Sequence, residues 1–268
     1  DADRANRRAN PRDRGADVTR ELGLGVRANQ EPAAYEAIAR SAEEAGVDVL
    51  SVYHDLLDQP AIGPLLLMAR VTERIRLGPA ALNPFTLHPY EIAGQIAMLD
   101  AVSNRRAFLG LAKGAWLDRL GIAEERPLAA LREAVAIIRA LLAGDETGFE
   151  GERFTLVPGT TLAYPRTRES VPLMIGTWGP ATARWAGTVA DEVKLGGSAN
   201  PDFLPVAREW IANPSVTLVV GCVTVVDEDG DWAGERARAA VEPYLDVGAH
   251  LDPTLELRDG QAPPLDRF

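Results

Sequence analysis

Five places in this 268-residue chain set reactive or anion-binding residues at the end of an apolar run. In VDVLSVYHDLLDQP the run stops at Tyr53 and His54-Asp55 follow. Imidazole titrates near neutrality and a carboxylate can orient it, so the pair suits proton transfer. A solvated His beside a helix-capping Asp gives the same dipeptide. In LGPAALNPFTLHP, Pro79 cannot donate to a ladder, so it marks a bulge or distortion, and a bulge at a barrel strand's end turns backbone atoms toward the axis. Asn83 can donate to a ligand or start the turn before Pro84, and His88 before Pro89 reads as a helix start. In FLGLAKGAW, Lys113 can hold an anion or snorkel to water, and Gly114 lets a ligand approach the backbone. In PLMIGTWGPATARWAG, Thr177, Trp178 and Gly179 precede a Pro-opened helix, a pattern whose amides bind phosphate or carboxylate; Trp178 adds a flat face. In EVKLGGSANP, Gly196 and Gly197 form a second glycine turn. Two adjacent glycine turns suit one elongated anionic ligand.

The elements that must position these residues alternate. Strands are expected near 21–27, 47–53, 74–82, 106–112, 171–176, 191–195 and 216–226, with helices near 31–45, 64–72, 89–102, 127–143, 180–190, 201–211 and 232–247. Near-continuous apolar strands between helices indicate a parallel α/β sheet covered on both faces. Strand-to-strand spacing of mostly 20 to 32 residues is that of a TIM (β/α)₈ barrel, whose ligands sit at the carboxyl ends of the strands. The wider gap, over residues 118–170, reads as a rim insertion shaping a substrate mouth. Seven strands are read rather than eight, and AHLDPTLELRDGQAPPLDRF offers no further apolar run. An incomplete barrel, a linker, or residues missing from the sequence would each account for that, and missing residues are the favoured account.

Length and apolar content fit a single barrel domain over residues 21–268. Residues 1–20, with six Arg and four Asp, read as a solvated, disordered tail without the apolar core of a signal peptide. A net charge of −11 argues against nucleic acid and against a membrane surface. Cys222 inside the run Val216–Val226 is expected to be a small buried hydrophobe in a cytoplasmic protein. His54, His88 and His250 show no metal-ligand spacing, so no metal is expected.

The stretches LGPAALNPFTLHP, MLDAVSNRRAFLGLAKG and GTWGPATARWAG…ADEVKLGGSANP together resemble the bacterial-luciferase-like superfamily, over roughly Leu22 to Tyr244. The branch they resemble uses the deazaflavin coenzyme F420 and is typified by methylenetetrahydromethanopterin reductase and F420-dependent glucose-6-phosphate dehydrogenase. The resemblance implies an oxidoreductase moving a hydride between F420 and a small organic substrate, as a homodimer. It also implies a non-prolyl cis peptide at Ala80–Ala81 behind the ring, with Asn83 nearby. Lys113, Gly114 and Asp118 match a cofactor loop, and Thr177, Trp178 and Gly179 match a phosphate turn. The sequence departs from the branch at His54-Asp55, whose order is reversed, and at Ala115, where the glucose-6-phosphate dehydrogenases carry an acid. The alternatives are an FMN-dependent monooxygenase and a non-catalytic flavin-binding protein.

Overall fold

The structure, a computed structural model, describes residues 20–196 and 200–255, and of residues 243–250 the backbone alone. The expected tail therefore falls, except for Arg20, outside the described residues, and so does Gly197. Strand and helix alternate as β1 (Gly23–Val26), α1 (Pro32–Glu44), β2 (Val49–Val52), α2 (Ile62–Arg70), β3 (Arg76–Pro79), α3 (Pro89–Val102) and β4 (Leu109–Ala112). After β4 come α4 (Pro127–Ala143), the short strands β5 (Phe149–Glu150) and β6 (Thr155–Leu156), and β7 (Leu173–Gly176). The described chain closes with α5 (Pro180–Val189), β8 (Glu192–Leu195), α6 (Phe203–Ile211), β9 (Thr217–Val220) and α7 (Gly230–Leu251).

Every strand but the β5–β6 hairpin pairs in parallel, in the spatial order β1-β2-β3 and β4-β7-β8-β9. Two bridges, Leu77 to Ala107 and Leu82 to Leu111, join the two groups at β3 and β4. The result is a TIM-type barrel wall of seven consecutive parallel strands, with no eighth strand between β9 and β1 among the described residues. The wall curves enough for Arg76 on β3 to reach across the lumen to Glu192 on β8 at 2.8 Å, and to Glu21 before β1 at 2.7 Å.

Four helices, α1, α3, α4 and α5, have Pro in the first turn, where its missing N–H removes no helical bond. Helix α4 turns Leu131, Val135, Ile138 and Leu142 onto the core at three- and four-residue steps. Each such side chain contributes about 1.5–3 kcal/mol when fully buried. The helix stops at Gly144, whose φ is +75°.

The amino ends of the strands are sealed by polar side chains. The Arg106 guanidinium donates to the carbonyls of Ala69, Thr72, Ile75 and Ser103, at 2.6 to 3.0 Å, and to Thr72 Oγ1 at 3.0 Å. Asp100, buried in α3, takes a bidentate pair from Arg168 at 2.7 and 3.1 Å and a further bond from Thr167. The Leu-Asp…Ser-x-x-Arg pattern is therefore scaffolding. Residues 145–170 pack on α3 and α4, and their hairpin tip also reaches the loops after β3 and β4, Arg153 lying over the Phe85 ring and pairing with Glu124. Their hairpin tip is held by Glu133 on α4, which accepts from the amides of Glu152, Arg153 and Phe154.

Cys222 corrects one expectation. It is exposed, beyond the end of β9, because β9 covers only Thr217–Val220 and, among the described residues, is an edge strand paired with β8. An edge strand leaves its outer flank to solvent, so apolar character over 216–226 did not produce burial.

Candidate active site

All strand-end residues picked out from the sequence, apart from Gly197, lie at the carboxyl rim of one parallel wall, because β2, β3, β4, β7 and β8 point the same way. After β2, half-buried His54 accepts a hydrogen bond at Nδ1 from the Ala61 amide at 3.3 Å. Burial pushes its pKa below the ordinary 6.5. At neutral pH the ring is thus uncharged and carries its proton on Nε2, a tautomer assigned from the bond at Nδ1. Asp55 does not orient it. His54 and Asp55 lie beyond the end of β2, and Asp55 is instead in the field of the Arg27–Asp58 pair, whose nitrogens and oxygens meet at 2.8 and 3.2 Å. Burial first, and then the Asp58 carboxylate, raise the Asp55 pKa above its ordinary value, against the opposing pull of Arg27.

Between β3 and β4 the ladder is interrupted. Ala80 N–H turns to the Val52 carbonyl at 2.8 Å, and bonding to β4 resumes at Leu82, which donates to Gly110 at 3.0 Å. The Ala80–Ala81 peptide is cis, and both alanines are half-buried. The two strands come so close that a Cβ on Gly110 would stand 2.0 Å from the Pro79 carbonyl oxygen. Asn83 forms the turn through its oxygen. Its Oδ1 accepts from Phe85 N–H, Thr86 N–H and Thr86 Oγ1 at 2.9 to 3.1 Å. Its buried amide packs under Gly114, whose φ of +85° and 3.1 Å clearance from Asn83 leave no comfortable place for a side chain. Lys113 and Asp118 are exposed on either side of this glycine, Asp118 within a short 3-10 turn at Leu117–Leu120. His88 caps α3, accepting from Tyr90 N–H at 3.1 Å, and plays no part in the rim.

The β7–α5 turn is more occupied than its sequence suggests. Thr177 Oγ1 accepts the Gly179 N–H at 3.0 Å, so the anion-facing donors of α5 reduce to the amides of Ala181 and Thr182. Trp178 is a strut: its Nε1 donates to the Gly196 carbonyl at 2.9 Å, and one face stacks on Phe203 at 5.1 Å and 9°. It ties the ends of β7 and β8 together.

Sequence reasoning assigned no role to Tyr53 and Lys194, which face each other across the lumen just below this rim, Nζ lying 5.8 Å from the ring centre. The signal available was alternation. Lys194 is two residues from Glu192, so both point to the same face of β8. A separate cavity of about 370 Å³ opens at the amino ends of β4, β7 and β8, lined by residues including Val135, Arg139, Arg168 and Asp191. Its charged groups are already engaged, Arg168 by Asp100 and Asp191 by the Leu173 amide. In parallel barrels chemistry sits at the other end.

Comparison with known proteins agrees with this geometry. The sequence profile of the luciferase-like monooxygenase family matches residues 15–261. A 5,10-methylenetetrahydromethanopterin reductase of Archaeoglobus fulgidus is 31% identical over 217 residues, which is 77% of this chain and 64% of that protein. An F420-dependent glucose-6-phosphate dehydrogenase of Amycolatopsis mediterranei is 30% identical over 63% of this chain and 56% of the relative. This chain thus spans under two thirds of the length of either protein. Among solved structures, the coenzyme F420 dependent tetrahydromethanopterin reductase from Methanopyrus kandleri superposes with a TM-score of 0.76 at 26% identity, covering 86% of this chain and 75% of that one. Wall, rim and profile agree: this chain belongs to the luciferase-like monooxygenase family.

Proposed function

We propose that this chain is an F420-dependent oxidoreductase that moves a hydride between the deazaflavin coenzyme and a small organic substrate. The observation that carries the reading is the opening in the β3–β4 ladder at Ala80–Ala81, beside Gly114 and on the same rim as the α5 N-terminus. A flat ring needs a wall free of side chains, and a charged tail needs amide donors. The alanines and Gly114 supply the first, the Ala181 and Thr182 amides the second. The residues present therefore fit the coenzyme, with Lys113 and Asp118 at the border of the ring site. The relatives named above that carry F420 in their names support the deazaflavin over other rings.

When bound, the coenzyme would supply the two-electron hydride chemistry. The chain's own work is to hold, orient and move a proton. His54, neutral with N–H on Nε2, offers that N–H as a hydrogen bond to the substrate atom that gains electron density, and its Nδ1 bond to Ala61 fixes the ring plane. Asp55, less acidic than usual, is placed to pass a proton to or from solvent. The reading takes a homodimer from the resemblance, a cytoplasmic setting from the cysteine usage, and residues 21–268 as one working domain from length and apolar content.

The test is a pair of titrations of purified protein with F420 and with FMN, followed by fluorescence. Saturable F420 binding at least about tenfold tighter than FMN is the expected result. Tighter FMN binding contradicts the proposal and favours the monooxygenase alternative.

A further inference from the structure

In the strand order β1-β2-β3-β4-β7-β8-β9, β2 is second and β8 sixth, so in an eight-position barrel they stand on opposite walls. Two contacts cross between facing walls. At the amino end Arg76 spans the lumen to Glu192 and also holds Glu21, one guanidinium between two carboxylates. One layer higher, Lys194 reaches from β8 to the face of Tyr53 at the end of β2. The phenol leans over the inner face of β1 so closely that a Cβ on Gly25 would fall 2.2 Å from its oxygen. The ammonium is thus brought to the barrel axis immediately under the rim, where His54 follows Tyr53 and Thr177 donates to the Lys194 carbonyl at 3.1 Å.

This cation is poorly compensated. Among the described residues no carboxylate forms an ion pair with it, since Glu192 is taken by Arg76 and Asp55 faces Arg27 and Asp58. The lumen offers it a π face instead, a weak substitute for a counter-ion. Burial lowers its pKa, with Glu192 opposing from the layer below. Folding alone favours an apolar side chain at such a position, because a desolvated ammonium without a carboxylate costs stability.

We propose that Lys194, with Tyr53 opposite, forms an anion-recognition site in the floor of the mouth, taking a negatively charged or enolate-like oxygen of the molecule bound above it. That oxygen belongs either to the coenzyme ring or to the substrate; the chemistry recognised is the same. The inference deepens the proposed function and rests on it, since it requires a ring-bearing ligand in the mouth.

The experiment uses the whole protein with Lys194→Met, Lys194→Gln and Lys194→Arg, each checked by thermal unfolding. F420 affinity is read by fluorescence, and acetate, as a small carboxylate probe, is then titrated into the F420-loaded protein while the coenzyme spectrum is followed. If the oxygen is the ring's, Lys194→Met and Lys194→Gln weaken F420 binding by about 10- to 100-fold and Lys194→Arg recovers most of it. If it is the substrate's, F420 affinity holds while the saturable acetate response of the wild type disappears in Met and Gln and persists in Arg. In either case Tm is unchanged or higher in Lys194→Met, whereas a merely structural lysine would lower it. Met and Gln variants that match the wild type in both titrations overturn the inference and leave the functional reading intact. Wild-type protein that binds neither F420 nor FMN contradicts the functional reading, and the inference falls with it.

Discussion

His54 owes its state to two neighbours of different kinds: surroundings that disfavour a charge, and one amide, Ala61 N–H, that needs Nδ1 unprotonated. Protonation would both charge a half-buried ring and break that bond. As pH rises through the depressed pKa, the ring loses its Nδ1 proton and regains the Ala61 bond that fixes its plane, so kcat/KM is expected to rise along an acid limb lying below 6.5. His54→Ala should abolish that limb and lower kcat by roughly 10²–10⁴-fold with F420 affinity nearly unchanged. Asp55→Asn should lower kcat with the same sparing of affinity. A pH–rate profile and F420 titration of each variant check this, and an unaltered kcat in both removes the pair from the mechanism. The residue types were legible in the sequence, but their pairings were not. Adjacency suggested that Asp55 holds His54, whereas the loop after β2 gives His54 an amide seven residues away. In the same way the Gly179 amide, expected to face an anion, is consumed two residues upstream by Thr177.

At the scale of elements, one device recurs. Glu43 on α1 accepts from the amides of Glu73, Arg74 and Ile75, as Glu133 on α4 does from Glu152, Arg153 and Phe154. Burial alone would raise each carboxyl's pKa, yet the three amide bonds together hold both below the ordinary 4.5. A depressed carboxylate contributes fully above its unfolded value and loses that contribution as pH falls through its folded one. Glu133→Gln should therefore lower stability by about 1 kcal/mol or less at neutral pH, the partner amides being largely solvent-screened. The gap to wild type should close below pH 4.5, as read by denaturant melts across pH; a gap that widens there would be the wrong sign. Helix starts were the most legible elements, because Pro89 and Pro127 open α3 and α4 where their missing N–H groups allow. The last strand was the least legible. Apolar character over 216–226 says nothing of how many neighbours a strand has, and among the described strands β9 has one. The Leu-Asp…Ser-x-x-Arg pattern was legible as a motif, but only the bonds of Asp100 and Arg106 reveal that it braces the amino ends of the strands.

Over the whole molecule the two ends of the barrel wall have separate tasks. The amino end is sealed by paired charges, Arg76 with Glu21 and Glu192 and Asp100 with Arg168, in positions where polar groups are bonded to saturation. The carboxyl end carries an interrupted ladder, a positive-φ glycine, a neutral imidazole and a lysine that forms no carboxylate ion pair among the described residues. That asymmetry follows from parallel strands, and it was readable from the β-then-α order before any coordinate. The lumen contacts were not, because they join β2 to β8 across more than a hundred residues of chain. The account's central claim is that this rim seats one flat redox ring with a charged tail. The most direct measurement is a crystal structure of the protein with F420 bound. The account predicts the ring against Ala80–Ala81 beside Gly114, with tail oxygens at the Ala181 and Thr182 amides. A coenzyme seated instead in the cavity at the amino ends of β4, β7 and β8, lined by Arg139 and Asp191, would contradict it.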